Sequence, residues 1–327
     1  MGTNYTSSEP IEASEEYEIS FKGNGGEYFT IVIVNWLLTV ITIGLYYPWA
    51  KARKLQYLYS ATEFNKIPFA FHGTGREMFK GFIKAVIILT IIYGIYFYLI
   101  ILKMILIASI VLLCSFVCLL PLAIHGSYRY RMSRTSWGGI RMGYRGDRKI
   151  LFGIYLKGVI LTIVTIGIYG AWFVMNLRNY LLNNVRLGSL KFAYNGKGGD
   201  YFLLNLKGYF LTFLTFGIYF FWWQKDIMQY YINNLSLVDE QNNRKISLTN
   251  LATGGKIAGL LITNALLFIF TLGLAYPWIV CRSLNFIFSN VAFSGDIKMS
   301  SITQTEVDYN DATGEDLNDI LDFGFVI

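Results

Sequence analysis

Charge is scarce in this sequence: Asp, Glu, Lys and Arg make up 15% of its 327 residues, against about a quarter in an ordinary globular chain. So few charges cannot cover a solvated globular surface. Proline is scarcer still, at five residues, while 54% of the chain is hydrophobic, which excludes a disordered or collagen-like chain. Three cysteines make no disulfide framework, since Cys114 and Cys118 lie four apart on one helical face and cannot bridge each other undistorted. His72 and His125 are the only histidines and have no ligand at zinc spacing, so neither metal nor cofactor is expected. No Ser/His/Asp set has a recognisable spacing, and the chain does not read as an enzyme. The first twenty residues are polar and acidic, unlike a cleavable signal peptide. The opening Met-Gly-Thr-Asn-Tyr-Thr matches a myristoylation pattern in form only.

What is abundant is apolar and aromatic: 25 Phe, 24 Tyr and 7 Trp. That composition belongs to a multi-pass membrane protein. The net charge of +7 is unevenly placed. Glu9, Glu12, Glu15, Glu16 and Glu18 make an acidic N-terminal tail, and Glu306, Asp308, Asp311, Glu315, Asp316, Asp319 and Asp322 an acidic C-terminal one. The body between them carries all 28 bases against nine acids. Such a body suits the cytoplasmic side of a bilayer, with anionic lipid head groups as its partners. Because the bases flank apolar segments and form no separate basic domain, nucleic acid is not an expected partner.

Self-similarity organises the rest. Thr42-Ile-Gly44-Leu-Tyr-Tyr-Pro48-Trp49, Thr165-Ile-Gly167-Ile-Tyr-Gly-Ala-Trp172, Thr215-Phe-Gly217-Ile-Tyr-Phe-Phe-Trp222 and Thr271-Leu-Gly273-Leu-Ala-Tyr-Pro277-Trp278 each follow an apolar stretch. A fifth copy is split between Tyr93-Gly-Ile-Tyr96 and Pro121-Leu122 by an insertion. Beyond the Pro position the copies align without a gap: the thirteenth residue is Ala61, Arg134, Asn184, Asn234 or Asn290, and the sixteenth Phe64, Trp137, Leu187, Leu237 or Phe293. Short alternating runs closing on glycines, such as Phe69-Ala-Phe-His-Gly-Thr-Gly75, predict a strand and a turn before each next helix. Glu27, Glu77 and Asp200 then stand at helix N-termini, where a carboxylate is favoured. The Gly-x-Gly turns lack the Lys-Ser/Thr of a phosphate loop.

The fold expected is an all-α polytopic membrane protein of five pseudo-repeats (18–68, 69–139, 140–191, 192–245, 246–298), linked by short cytoplasmic strand and Gly-turn segments. Disordered tails, 1–17 and 299–327, flank it. Six apolar stretches (28–50, 82–101, 104–124, 151–173, 202–223, 257–280) are each long enough to span about 30 Å of hydrocarbon. As six crossings they would leave a basic loop outside and put homologous strand units on opposite sides. As five same-side hairpins turning at Thr-x-Gly they leave only Lys103 outside, at the cost of Arg53, Arg178 and Arg282 lying one to two turns below the tips.

The order Gly-Gly-Glu-Tyr-Phe, apolar helix, Thr-Ile-Gly-Leu-Tyr-Tyr-Pro-Trp-Ala-Lys-Ala-Arg, then an aromatic strand closing on His-Gly-Thr-Gly-Arg-Glu-Met-Phe-Lys-Gly resembles the YjgN family of bacterial inner-membrane proteins. The resemblance covers about residues 18–298 and implies a multi-pass protein of the bacterial inner membrane. The family's function is not established, so no catalytic residue follows from it.

Candidate site residues come from the motifs. Asn35 and Asn264 lie nine residues before the turn glycine, where the other copies have Ala85, Gly158 and Gly208; an amide or a small residue there serves helix packing or lines a path. The Thr-x-Gly pairs break the helix, as broken helices do at transporter substrate sites. The Tyr-x-Pro-Trp clusters read as an interfacial aromatic belt. The function expected is a transporter or channel for a small polar or anionic solute, attracted by Arg53, Arg178 and Arg282. The alternative is a non-transporting scaffold or envelope protein that binds lipid or a protein partner through its basic face. Oligomeric state stays open.

Overall fold

The structure is a computed structural model that describes residues 17–240, 242–295, 297 and 302–306. Five times the chain runs strand, helix, helix, strand. The runs are β1 (Ile19–Phe21), α1 (Gly25–Ile41), α2 (Tyr47–Ser60), β2 (Thr62–Phe64); β3 (Ile67–Phe71), α3 (Gly75–Ile101), α4 (Ile105–Ser133), β4 (Thr135–Trp137); β5 (Ile140–Tyr144), α5 (Arg148–Val164), α6 (Gly170–Asn183), β6 (Val185–Leu187); β7 (Leu190–Tyr194), α7 (Gly198–Leu214), α8 (Phe220–Asn233), β8 (Leu235–Asp239); and β9 (Arg244–Asn250), α9 (Gly254–Phe270), α10 (Tyr276–Ser289), β10 (Val291–Gly295).

Each helical pair is a hairpin because Thr-x-Gly reverses the chain. Thr42, Thr165, Thr215 and Thr271 each donate the hydroxyl to the carbonyl four residues back, at 2.6–2.7 Å. The same oxygens accept the N–H four residues ahead, at 2.9–3.0 Å, tying both arms to one side chain. Gly44, Gly167, Gly217 and Gly273 hold φ between +85° and +93°. The residues before them, Ile43, Ile166, Phe216 and Leu272, are also left-handed, with φ of 49–52°. A bulky side chain there costs roughly 1–2 kcal/mol, and each is more than nine-tenths exposed. Each of these apolar side chains therefore stands at the outermost point of its hairpin.

The expectation of an all-α protein is wrong. Ten strands join in sequence order, each antiparallel to its neighbour, into one sheet that curls into a nearly closed barrel. Both strands of every unit are the feet of its helical hairpin, so all five hairpins rise from one side of the sheet. The ends meet: the Phe64 ring of β2 lies 5.4 Å from Phe293 of β10, and the Tyr17 hydroxyl bonds both N and O of Ile297 at 2.8 Å. Inward-pointing Phe64, Trp137, Met142, Val185, Leu187, Leu190, Leu237 and Ile246 are buried in a single cluster, with Phe293 packed against them. The barrel is therefore a filled core, worth about 1.5–3 kcal/mol per large side chain buried.

The six apolar stretches are corrected with the fold class. Four of them double back at Thr-x-Gly into arms of 17 and 14 residues, α1/α2, α5/α6, α7/α8 and α9/α10, so the longer arm is about 26 Å. Two helices, α3 of 27 residues and α4 of 29, are long and apolar enough to cross a membrane. Lys103, with φ of 60°, marks the turn between them.

Candidate functional site

The Tyr-x-Pro-Trp motif lies where units meet. Trp49, Trp172, Trp222 and Trp278 each cover the first-turn glycine of the next unit's first helix: Gly75, Gly198, Gly254 and Gly25. A Cβ on those glycines would come within 2.2–2.6 Å of the indole. Trp278 on Gly25 joins the last unit to the first. Trp222 and Trp278 stay 44% and 43% exposed, so the same rings also present an aromatic edge outward. Pro48, Pro121 and Pro277 are fully buried at the start of their helices or inside α4.

A set of tyrosine latches escaped the sequence reading. Tyr57, Tyr180 and Tyr230 donate to the backbone carbonyl of the residue 33 positions earlier, Asn24, Asp147 and Lys197, and accept its N–H, at 2.7–2.9 Å. Those partners are the N-caps of α1, α5 and α7. The signal was available, since Tyr stands nine residues after the Pro position in four copies and Phe286 in the fifth. In the second unit Tyr130 reaches instead to Glu77 Oε2, at 3.2 Å, beside an Arg134–Glu77 ion pair.

Asp147 also accepts the N–H groups of Lys149 (2.7 Å) and Ile150 (3.0 Å), and these bonds hold its carboxyl below the usual carboxylate range. A depressed folded-state pKa contributes stability that is present above the ordinary Asp range and lost as pH falls through the folded value. Asp147→Asn keeps the cap and is expected to flatten the acid limb of the stability–pH curve, the two proteins differing more at pH 7 than at pH 3. Unfolding followed from pH 7 to 3 for both proteins checks it.

The candidate binding residues do not converge on one place. Asn35 and Asn264 are buried and face their own hairpin partners, Asn35 Nδ2 reaching Ala50 O at 3.4 Å and Asn264 Nδ2 reaching Ser283 Oγ at 3.1 Å. Both leave a side-chain oxygen with no hydrogen-bond partner. The equivalent Gly158 and Gly208 lie against Phe173 and Trp223 with no room for a Cβ, so this position sets how closely two arms approach. Arg53 and Arg282 stand exposed on α2 and α10. Arg53 lines an open groove of about 430 Å³ with Ile31, Gln56, Tyr57, Ser60, Ala70 and Phe71. A second groove, of about 490 Å³, occupies the matching place on α7 and α8, where Leu204 and Tyr230 take the positions of Ile31 and Tyr57.

Arg178 is the half-buried one. Its guanidinium lies 3.8 Å over the Tyr231 ring and 5.4 Å from that of Tyr194, and its Nε has no hydrogen-bond partner. Tyr231 and Tyr201 share a hydroxyl contact of 2.8 Å at the edge of this cluster. Such stacking offsets part of the cost of burying the cation. His125 is buried against Tyr144, and His72 Nε2 bonds Ser136 Oγ at 2.8 Å. Among the described residues no group of three metal-ligating side chains forms.

Comparison with known proteins matches residues 16–195 and 238–320 to the family described as "Bacterial protein of unknown function (DUF898)". The chain is similar to the inner membrane protein YjgN of Salmonella typhimurium, 28% identical over 178 residues that cover 49% of this chain and 42% of that one. It is similar to YjgN of Escherichia coli O157:H7, 34% identical over 134 residues, covering 39% and 31% respectively. The chain thus spans less than half the length of these curated relatives. No solved structure matches. The relatives' names support the inner membrane as the location of this chain too.

Proposed function

The chain belongs to the family of bacterial proteins of unknown function (DUF898), and from that premise we propose that it is a non-transporting membrane platform. Its five units, copies of one βααβ element, sink their helical hairpins into the inner membrane and hold anionic lipid head groups around the ring. The observation that carries this reading is the filled barrel: side chains from the strands pack its interior into one buried core. No solute path runs down such an axis, and the apolar tips Ile43, Ile166, Phe216 and Leu272 serve insertion. The long hairpin α3/α4 crosses the bilayer and the four short ones enter it from the cytoplasmic side, where the sheet and the basic residues lie. The groove at Arg53 pairs an exposed cation and the polar Gln56 and Ser60 with the apolar Ile31 and Phe71, which suits a phosphate head group above acyl chains.

The test is lipid content and flux together. Purified wild type is expected to carry anionic phospholipid, and Arg53→Ala with Arg282→Ala to carry at least twofold less, with no solute flux from liposomes in either. Flux of a small anion through the wild-type protein overturns the proposal. Transport, the second reading, is favoured by Arg178, a half-buried cation whose Nε lacks a partner; it predicts flux that falls at least tenfold in Arg178→Gln.

A further inference from the structure

The C-terminal segment behaves as a bound peptide. Ile297 and Ile302 are buried in the barrel core, and from there residues 303–306 pass under the β6–β7 turn onto the outer face. Ser189 N donates to Thr303 O (2.9 Å), Thr303 N to Ser189 Oγ (3.3 Å), Thr305 Oγ1 to Gly188 O (2.6 Å) and Arg141 N to Gln304 Oε1 (2.8 Å). Glu306 then meets Arg145, whose Nη2 and Nε donate to Oε1 at 2.7 and 3.0 Å.

The place where Glu306 lands is specialised. Its carboxylate lies against Gly143, where a Cβ would come within 2.4 Å. Side chains alternate along a strand, so position 143 faces outward between the inward-facing Met142 and Tyr144. The matching positions of the other units carry Ser20, Ala70, Ala193 and Thr249. Of the five matching positions this is the one that omits the side chain, and the Glu306 carboxylate takes its place. Gly143 is opposite Arg186, which is opposite Lys191, so one face of three adjacent strands forms a basic strip. A second carboxylate from a different segment docks on it: Glu240 bonds Arg186 (3.0 Å) and Lys191 (3.1 Å), and these two cations hold its carboxyl below the usual range.

We infer that the outer strip of β5, β6 and β7, centred on Gly143 and Arg145, is a docking site for an acidic extended peptide, and that residues 303–306 of the chain occupy it in cis. Backbone groups of Arg141, Gly188 and Ser189 read the Gln304 amide, the Thr305 hydroxyl and the main chain at Thr303, and Arg145 reads the Glu306 carboxylate. Arg145 is half exposed beside Glu306, so salt reaches and screens the pair, and an acidic segment arriving in trans competes with the resident one. The site is separate from the lipid groove at Arg53 and does not depend on that reading.

The test uses a fluorescent synthetic peptide copying residues 301–311 and the full chain in detergent, at low salt, read by anisotropy. Wild type is expected to bind it weakly, because the site is filled. Chain Glu306→Lys, which releases the resident carboxylate, is expected to bind at least tenfold more tightly. Arg145→Glu is expected to bind at least tenfold more weakly than chain Glu306→Lys does, and to bind a peptide whose own Glu306 is replaced by Lys. Equal affinity for wild type and Glu306→Lys, or an Arg145→Glu chain that binds the peptide as tightly as Glu306→Lys does, overturns the inference. Lipid content that is unchanged in Arg145→Glu keeps this result distinct from the fate of the membrane-platform proposal.

Discussion

Trp137→Ala is expected to destabilise the protein by about 3–5 kcal/mol, the range for truncating a large aromatic inside a packed core. Trp137 is 3% exposed, its ring lies 5.5 Å from that of Phe64, and its indole N–H donates to Phe64 O at 3.0 Å. Truncation leaves a cavity and removes the donor from a buried carbonyl, and each adds to the cost. Trp222→Ala is the control, since Trp222 is 44% exposed and its loss is expected to cost less than half as much. Chemical unfolding in a mild detergent compares the two. A Trp137→Ala loss below about 1 kcal/mol would mean that the strands do not enclose a packed interior, and the argument against an axial solute path would fall with it.

Gly25→Val is expected to cost about 1–3 kcal/mol, from overpacking at the joint between the last unit and the first. A Cβ at Gly25 would lie 2.2 Å from the Trp278 ring, which is also 5.0 Å from that of Phe29. Once Trp278 is cut back to Ala, the added methyls have space. The double variant is therefore expected to be no less stable than Gly25→Val alone, giving a coupling of about 1–3 kcal/mol in a double-mutant cycle. Strict additivity in the same unfolding assay would show that the two residues do not touch, and that the ring is open between α10 and α1.

Much of this arrangement can be read from the residues, though its meaning was only half visible. Counting from the Pro position brought Phe64, Trp137, Leu187, Leu237 and Phe293 into register, and four of these five are in the barrel core while Phe293 packs on it. The residue three places earlier, Ala61 to Asn290, supplies in every unit the carbonyl that accepts an N–H from the end of that unit's first strand or just beyond it. The barrel itself was hidden because β1, β2, β4 and β6 are three residues long. Alternation over three positions cannot be told from chance, and hydrophobic periodicity assigned the fold class to the helices alone. The apolar stretches left crossings and hairpins both open for a related reason: composition gives the length of an oily run, while a left-handed Ile43 or Phe216 that folds the run back on itself is a backbone event. Arg53, Arg178 and Arg282 looked equivalent by depth. Only the fold separates the stacked cation from the two exposed ones, because the Tyr231 ring that covers Arg178 comes from another unit.

The joint between the first and last units also sets an order of assembly. Nearly every packing contact along the ring lies within one unit or between consecutive units, but Tyr17 meets Ile297 across 280 positions and Lys54 meets Tyr276 across 222. A chain emerging from the ribosome can therefore fold each hairpin onto the one before it as synthesis proceeds. It cannot complete the circle until the final helix is made. Until then α1 lacks the α10 helix that packs on it, and Gly25 waits for an indole that comes from the other end of the molecule. The slowest step of maturation is expected to be this late ring closure, when a row of hairpins becomes a circle.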